Sequence, residues 1–431
     1  MDRAVRFGSI YFLKKGVKLI MSVLVNMFRE KVGKIKDTRM KDETSISTSY
    51  STGFMPLDFL NGTIMHEVVD GTSRNYYSTG IPDGSYSMIV GRSGSGKTTF
   101  TLQMSGNIVR GFPNSAIYMD SLEGGVMIER AQKLTRMSPL EFKEKCIIRD
   151  TGITAENFYE RIKMIHDIKM EHRDDFIYDT GRNDSYGDRV YKLQPTVYIL
   201  DSLPLLMPEK FTEEDELSGS MGASAVAKTN AAIFKRIIPL LKSANIILFV
   251  INHILESIDI NPMARKQLTL SWLKQGESLP GGRTPQYLSN NIFRLDDASK
   301  LKEEEAFAFS GSLVTLTLVK SRSNRAGQQI KLVFSQENGF DYDLSLFLML
   351  KDAKMLKGAG AHLRIGDCPI SFAQRNFKEK LRENPELQQA FIDECMGLLQ
   401  KMITQTTYND IDDSVVSTQL FNKLNEGLLV S

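Results

Sequence analysis

The eight residues Gly91-Arg92-Ser93-Gly94-Ser95-Gly96-Lys97-Thr98 constrain this chain most, because the pattern GxxxxGK[ST] works only where a strand delivers it and a helix leaves it. The apolar run Ser87–Val90 stands directly before the pattern. Behind it, Thr98 to Arg110 reads as a helix that Gly111 and then Pro113 bring to a stop. Glycines let the backbone turn its N–H groups inward around phosphates, and the helix N-terminus adds its positive end. Lys97 is placed to reach β- and γ-phosphates, and the Thr98 hydroxyl to ligate Mg²⁺. Gly91 to Thr98, with Thr99, are therefore the expected contacts of ATP.

Further apolar runs recur at Ala116–Asp120, Thr196–Asp201, Asn245–His253, Asn291–Leu295, Leu313–Ser321 and Gln329–Ser335. The early ones are nearly continuous in Ile, Val, Leu and Tyr, as buried parallel strands are. Helical stretches separate them, notably Ala223 to Ser243. The expected fold class is α/β, doubly wound, with a mostly parallel central sheet. Residues 1–46 read as helical and basic, with eleven Lys/Arg against four acids in residues 1–42, and a polar linker Ser45–Gly53 ends them. The segment Asp174–Leu193 is polar, has no period and reads as a surface insertion. From 340 the pattern turns helical again at Phe372–Leu381 and Asn384–Ile403. These shifts suggest an N-terminal segment 1–50, a core 51–340 and a small α/β or helical C-terminal domain 341–431.

Composition narrows the class without naming a function. At 431 residues, 42% apolar and 25% charged, the chain is long enough for a large core and ordinary for a soluble protein. A net charge of +2 means that any nucleic-acid contact must come from local clusters of Lys and Arg. Cys146, Cys368 and Cys395 lack CxxC spacing, which argues against a zinc site or a disulfide framework and fits a reducing cytosol. The apolar run Leu19–Phe28 is too short to span a bilayer and has no cleavage site beside it, so neither a membrane span nor a secretory signal is expected. Met21 offers a second start for the chain.

Pro195 to Ser202 is an apolar strand that ends abruptly in a carboxylate. With the phosphate loop about a hundred residues earlier, Asp201 is the expected partner of Thr98 around Mg²⁺. A second carboxylate follows the strand Ala116–Asp120: Glu123 is the candidate general base, with Asp120 as its competitor.

At this point the spacing resembles that of the RecA family, and more closely its phage members of the UvsX type, over about residues 50–340. Ser51-Thr52-Gly53-Phe54-Met55-Pro56-Leu57-Asp58 is similar to the short motif ahead of the family's core. Leu200 to Pro208 resembles its strand and loop entry, and Met221-Gly222 the exit of its first DNA-binding loop, about 207–222. Leu248 to His253 resembles the strand that ends in a polar pair at the γ-phosphate, with His253 where bacterial members carry Gln. A second DNA-binding loop, about 254–283, closes with Pro280-Gly281-Gly282 and contains Arg265, Lys266, Trp272, Lys274 and Arg283. Cations for phosphates and an aromatic for bases suit single-stranded DNA. Leu318 to Ser323 resembles the strand end from which the family sends two cations into a neighbour's ATP, here Lys320 and Arg322.

The resemblance implies a RecA-like P-loop core and a cytoplasmic DNA-dependent ATPase, in the host cell if phage-encoded. It also implies helical filaments on single-stranded DNA, homologous pairing with double-stranded DNA, and strand exchange in recombination, repair and recombination-dependent replication. The N-terminal segment would serve oligomerisation, and phage mediator and single-strand-binding proteins are the implied partners. On that alignment Arg130 falls where the family stacks an aromatic on adenine, and two residues rather than one separate the strand-end Asp120 from Glu123. The alternatives are a RecA-like hexameric replicative helicase and a non-hydrolysing RecA-like regulator.

Overall fold

The computed structural model describes residues 48–211, 219–256, 271–301 and 311–406, and a nine-stranded sheet organises them. In chain order its strands are β1 (Tyr86–Gly91), β2 (Ile117–Ser121), β3 (Cys146–Arg149), β4 (Thr196–Asp201), β5 (Ile246–His253), β6 (Asn291–Leu301), β7 (Gly311–Lys320), β8 (Gln329–Ser335) and β9 (Gly339–Asp341). Across the sheet they run β9-β8-β7-β6-β1-β5-β4-β2-β3. From β6 to β3 every pair is parallel. From β6 outward to β9 every pair is antiparallel. The fold is thus mixed α/β with a large, mostly parallel central sheet, and nearly every expected strand is present.

The central strands are apolar throughout because both of their faces are covered. Ile89, Val197, Ile199, Ile247, Phe249 and Ile251 join one apolar cluster with Phe100, Met104 and Val109 of α1 (Lys97–Arg110) and Leu134 of α2 (Ile128–Thr135). The residues between them, Met88, Val90, Tyr198, Leu200, Leu248 and Val250, join a second cluster. That cluster takes Phe158 and Ile162 from α3 (Ala155–Glu171) and Phe234, Ile237 and Leu241 from α4 (Gly219–Ala244). Strand alternation therefore sorts each neighbour to an opposite face. Each fully buried side chain of this kind contributes roughly 1.5–3 kcal/mol.

Beyond the sheet come α5 (Arg283–Leu288), α6 (Tyr342–Asp352), α7 (Phe377–Glu383) and α8 (Pro385–Thr406). Phe347, Phe377, Phe391 and Leu399 belong to the same apolar cluster as Ile89 and Phe249, so the described helices after 341 enlarge the core of the sheet rather than enclose one of their own. The described part of the expected linker, from Thr48, packs against the rest of the fold. Ser49–Tyr50 pairs with Ile81–Pro82, and the buried Asp58 carboxylate accepts hydrogen bonds from Ser51 Oγ, Thr52 N and Thr52 Oγ1.

Two segments outside the large sheet are hairpins. Thr63–Val69 pairs with Thr72–Ser78, and Ile177–Asn183 with Arg189–Leu193. The polar insertion Asp174–Leu193, which shows no period along the sequence, thus contains a hairpin. The hairpins hold each other through Glu67, 1% exposed, which receives Arg74 Nε at 2.7 Å and Arg182 Nη1 at 3.1 Å, and through Val68 N on Asp184 O at 2.9 Å. Only Tyr76, Val190 and Met65 form a small apolar cluster here, and the charged contacts around it leave no clear hydrophobic period along these strands. Among the described residues no helix is long and apolar enough to cross a membrane. The basic segment 1–46 lies outside the described residues.

Candidate functional site

Where β1 gives way to α1, the backbone needs glycine. Gly96 caps the helix at φ +83°, and a Cβ at Gly91 would lie 2.5 Å from the Leu295 carbonyl oxygen. The loop between them bends back on itself. Lys97 is buried and donates to the Arg92 carbonyl at 2.8 Å, and Thr98 Oγ1 donates to Asp201 Oδ2 at 2.7 Å. Strand β4 brings Asp201 to this point from a distant part of the sequence.

Asp201 is 2% exposed, and its second oxygen, Oδ1, has no hydrogen-bond partner among the described residues. Burial pushes its carboxyl up to about 6. Glu123 adds to the rise, while the Thr98 hydrogen bond, Lys97 and His253 oppose it. A buried, unpartnered carboxylate oxygen is costly unless a ligand answers it. Mg²⁺ is usually bound by one or two carboxylates together with substrate phosphates, and Asp201 Oδ1 beside the Thr98 hydroxyl fits that demand.

Glu123 stands across the same cavity. The Leu122 N–H, at 2.5 Å, and the Glu123 N–H, at 3.4 Å, both reach the Asp201 carbonyl and tie the segment after β2 to the end of β4. The Glu123 carboxylate pairs with His253 Nε2. Burial alone would raise its pKa. The polar environment of Ser202 and His253, together with the charges of His253 and Lys97, outweighs burial and holds it below the usual range. An ionised carboxylate at the wall of a cavity can accept a proton from a hydroxyl group held there.

Asp120, the other candidate, faces away from this cavity. Its Oδ1 receives Arg161 Nη1 at 2.7 Å and its Oδ2 receives the Tyr198 hydroxyl, both on the face of the sheet covered by α3. The cavity, about 230 Å³, is lined by Glu123, Asp201, His253, Lys97, Thr98 and Thr99, but not by Asp120. Arg130 also lines it, donating to the Gln336 carbonyl and, at 3.4 Å, to Thr99 Oγ1, so its guanidinium plane is fixed at one wall. Gln336 and Met127 line the cavity as well. Sequence reasoning missed both, because Gln336 is brought there by β8 and carries no local motif.

His253 opens a path away from the cavity. Its backbone N–H donates to Asn252 Oδ1 at 2.8 Å, and Asn252 Nδ2 donates to the Pro280 carbonyl at 2.9 Å. Gly281 and Gly282 follow at φ +90° and +81°, and Gly282 caps α5, whose first residue is the exposed Arg283. Trp272 is half-buried against the apolar cluster on the α4 face rather than free, and Lys274 is exposed, 3.8 Å from Asp296. Arg265 and Lys266 lie outside the described residues. Met221 and Gly222, read as a loop exit, lie within α4, which begins at Gly219.

Lys320 and Arg322 do not line this cavity. Lys320 Nζ donates to the carbonyls of Gln286, Tyr287 and Ser289 at 2.7–2.9 Å, and Arg322 Nη2 reaches those of Tyr287 and Leu288. Both cations thus complement the negative end of α5. Burial and then the neighbouring Arg322 lower Lys320 to about 8. No protein-family model and no curated protein sequence matches this chain.

Proposed function

We propose that this chain is a RecA-like DNA-dependent ATPase that assembles on single-stranded DNA and drives homologous pairing and strand exchange. The observation that supports it most is one cavity in which Lys97, Thr98, the half-satisfied Asp201 and the ionised Glu123 converge, with His253 joined to Glu123 and, through Asn252, to Pro280. In this reading the loop N–H groups and Lys97 bind the phosphates of ATP, and Thr98 and Asp201 hold Mg²⁺. The metal would supply charge neutralisation on the phosphates.

Glu123 orients the attacking water and takes its proton. His253 holds Glu123 in place and reports its position along Asn252 to the segment that ends the second DNA loop. Lys320 and Arg322, absent from the chain's own cavity, would leave the end of α5 to complete a neighbour's site, which makes turnover depend on assembly. Two arrangements of these cations, one on α5 and one on a neighbour's nucleotide, are what such a switch requires.

The test is ATP turnover with and without single-stranded DNA, with the complexes viewed by electron microscopy. Helical filaments with DNA-stimulated turnover support the reading. Closed rings indicate a hexameric helicase, and ATP binding without turnover indicates a regulator.

A further inference from the structure

A second cavity, of about 540 Å³, opens at the opposite end of α1 from the phosphate loop, and the residues that line the two are entirely different. Its walls come from the last turn of α1, the strand Ser49–Tyr50 and both hairpins. Tyr50, Tyr76, Phe112 and Tyr178 supply rings, and Arg110 and Arg182 supply charge. Among the described residues no Asp or Glu lines it. The size is that of pockets that take small organic ligands.

The two guanidinium groups are unequally used. Arg182 sits 4.0 Å over the Tyr76 ring and shares Glu67 with Arg74. Two cations on one carboxylate leave a net positive charge at the wall. Arg110 forms no ion pair among the described residues; its Nη2 donates to Asn107 Oδ1 at 2.6 Å, and its buried Nε has no hydrogen-bond partner. A guanidinium at the cavity wall that has no ion pair, where no acid stands among the described lining residues, is suited to phosphate or carboxylate oxygens. The end of α1 opposes an anion there, but that field is weak beyond the last turn and Arg110 already offsets it. The rings are arranged edge to face, Phe112 to Tyr178 at 5.0 Å and Tyr50 to Phe112 at 5.6 Å, which gives a ligand an aromatic wall next to the cations.

We propose that this cavity binds a small aromatic organic phosphate of the nucleoside monophosphate class, its phosphate on Arg110 and Arg182 and its ring against Tyr178 and Phe112. The site is separate from the phosphate loop, and the proposal stands whether or not the chain hydrolyses ATP.

Calorimetric titration of the full chain with AMP tests it, since AMP lacks the β- and γ-phosphates that Lys97 would hold. Adenosine and inorganic phosphate serve as the other two arms. The expected result is AMP binding that survives Lys97→Ala and weakens at least tenfold in Arg110→Gln, with adenosine and inorganic phosphate each binding more weakly than AMP. Thr79→Glu, a rim substitution that brings a carboxylate into the cavity, should weaken AMP to a similar extent while Mg·ADP binding at the phosphate loop is retained. No heat from AMP, or AMP binding that Lys97→Ala abolishes and Arg110→Gln leaves intact, would overturn the proposal. Inorganic phosphate binding as well as AMP would overturn the role given to the rings.

Discussion

Asp120 and Asp201 stand at the ends of neighbouring strands and are both 2% exposed, yet their surroundings are opposite. The pairing of β4 with β2 sets Leu200 beside Asp120 and Asp201 beside Ser121, one residue out of step. Side chains alternate along a strand, so that single step turns the two carboxylates to different faces of the sheet. Asp120 meets Arg161 and Tyr198 on the α3 face, and both of its oxygens are taken. Asp201 meets Thr98 on the α1 face and keeps one oxygen unanswered. Two buried acids of equal exposure thus differ in that one has both oxygens paired and the other has one oxygen without a hydrogen-bond partner among the described residues, and register separates them.

The largest effect should come from the open side. Lys97→Ala removes the cation at the phosphate loop and is expected to lower ATP turnover about a thousandfold, while leaving the Asp120 pair and the unfolding midpoint in urea nearly unchanged. Asp120→Ala should do the reverse. It leaves Arg161 without its buried partner and is expected to cost about 4 kcal/mol in urea unfolding, with turnover per folded molecule within about tenfold of wild type. A large loss of turnover without a loss of stability would break the comparison.

The pH dependence of Asp201 sharpens it. Its folded pKa of about 6 lies above the unfolded value of about 3.9, so the folded chain holds the extra proton, and that stabilisation is present below about pH 4 and lost as pH rises through 6. Without nucleotide or Mg²⁺, Asp201→Asn should therefore exceed wild type in stability at pH 8 by up to about 3 kcal/mol and match it at pH 4, as urea unfolding would show. An equal difference at both pH values would remove Asp201 from the argument.

The smallest effect belongs to Lys320→Ala, which takes a cation from the end of α5 and should cost about 1 kcal/mol or less. Its turnover defect, and that of Arg322→Ala, should be rescued by mixing with a chain altered only at Lys97. Failure of that mixing to restore turnover would count against cations shared between subunits.

How much of this could be read from sequence depended on whether burial left a periodic trace. The strands Thr196–Asp201 and Gln329–Ser335 were legible to the residue because they are apolar runs with abrupt polar ends. Strand β6 was read as far as Leu295 and continues to Leu301, since its far half is polar and held only by pairing with β7. The pairing of the strands in the hairpins left no periodic trace, since they meet largely through the Arg182–Glu67 ion pair and a small apolar cluster. In the site, Glu123 and Asp201 were legible as strand-end carboxylates, whereas the different faces that Glu123 and Asp120 occupy were not. No pattern along the chain marks Asn252 or Gln336, whose settings arise from elements distant in sequence, or the lack of an ion pair at Arg110 among the described residues.

The central claim is tested most directly by hydrolysis of Mg·ATP in the presence of single-stranded DNA, comparing Glu123→Gln with Asp120→Asn. The account expects Glu123→Gln to bind ATP and hydrolyse it at least about a hundredfold more slowly than wild type, with Asp120→Asn within a few-fold of wild type. Retained turnover in Glu123→Gln together with its loss in Asp120→Asn would contradict it.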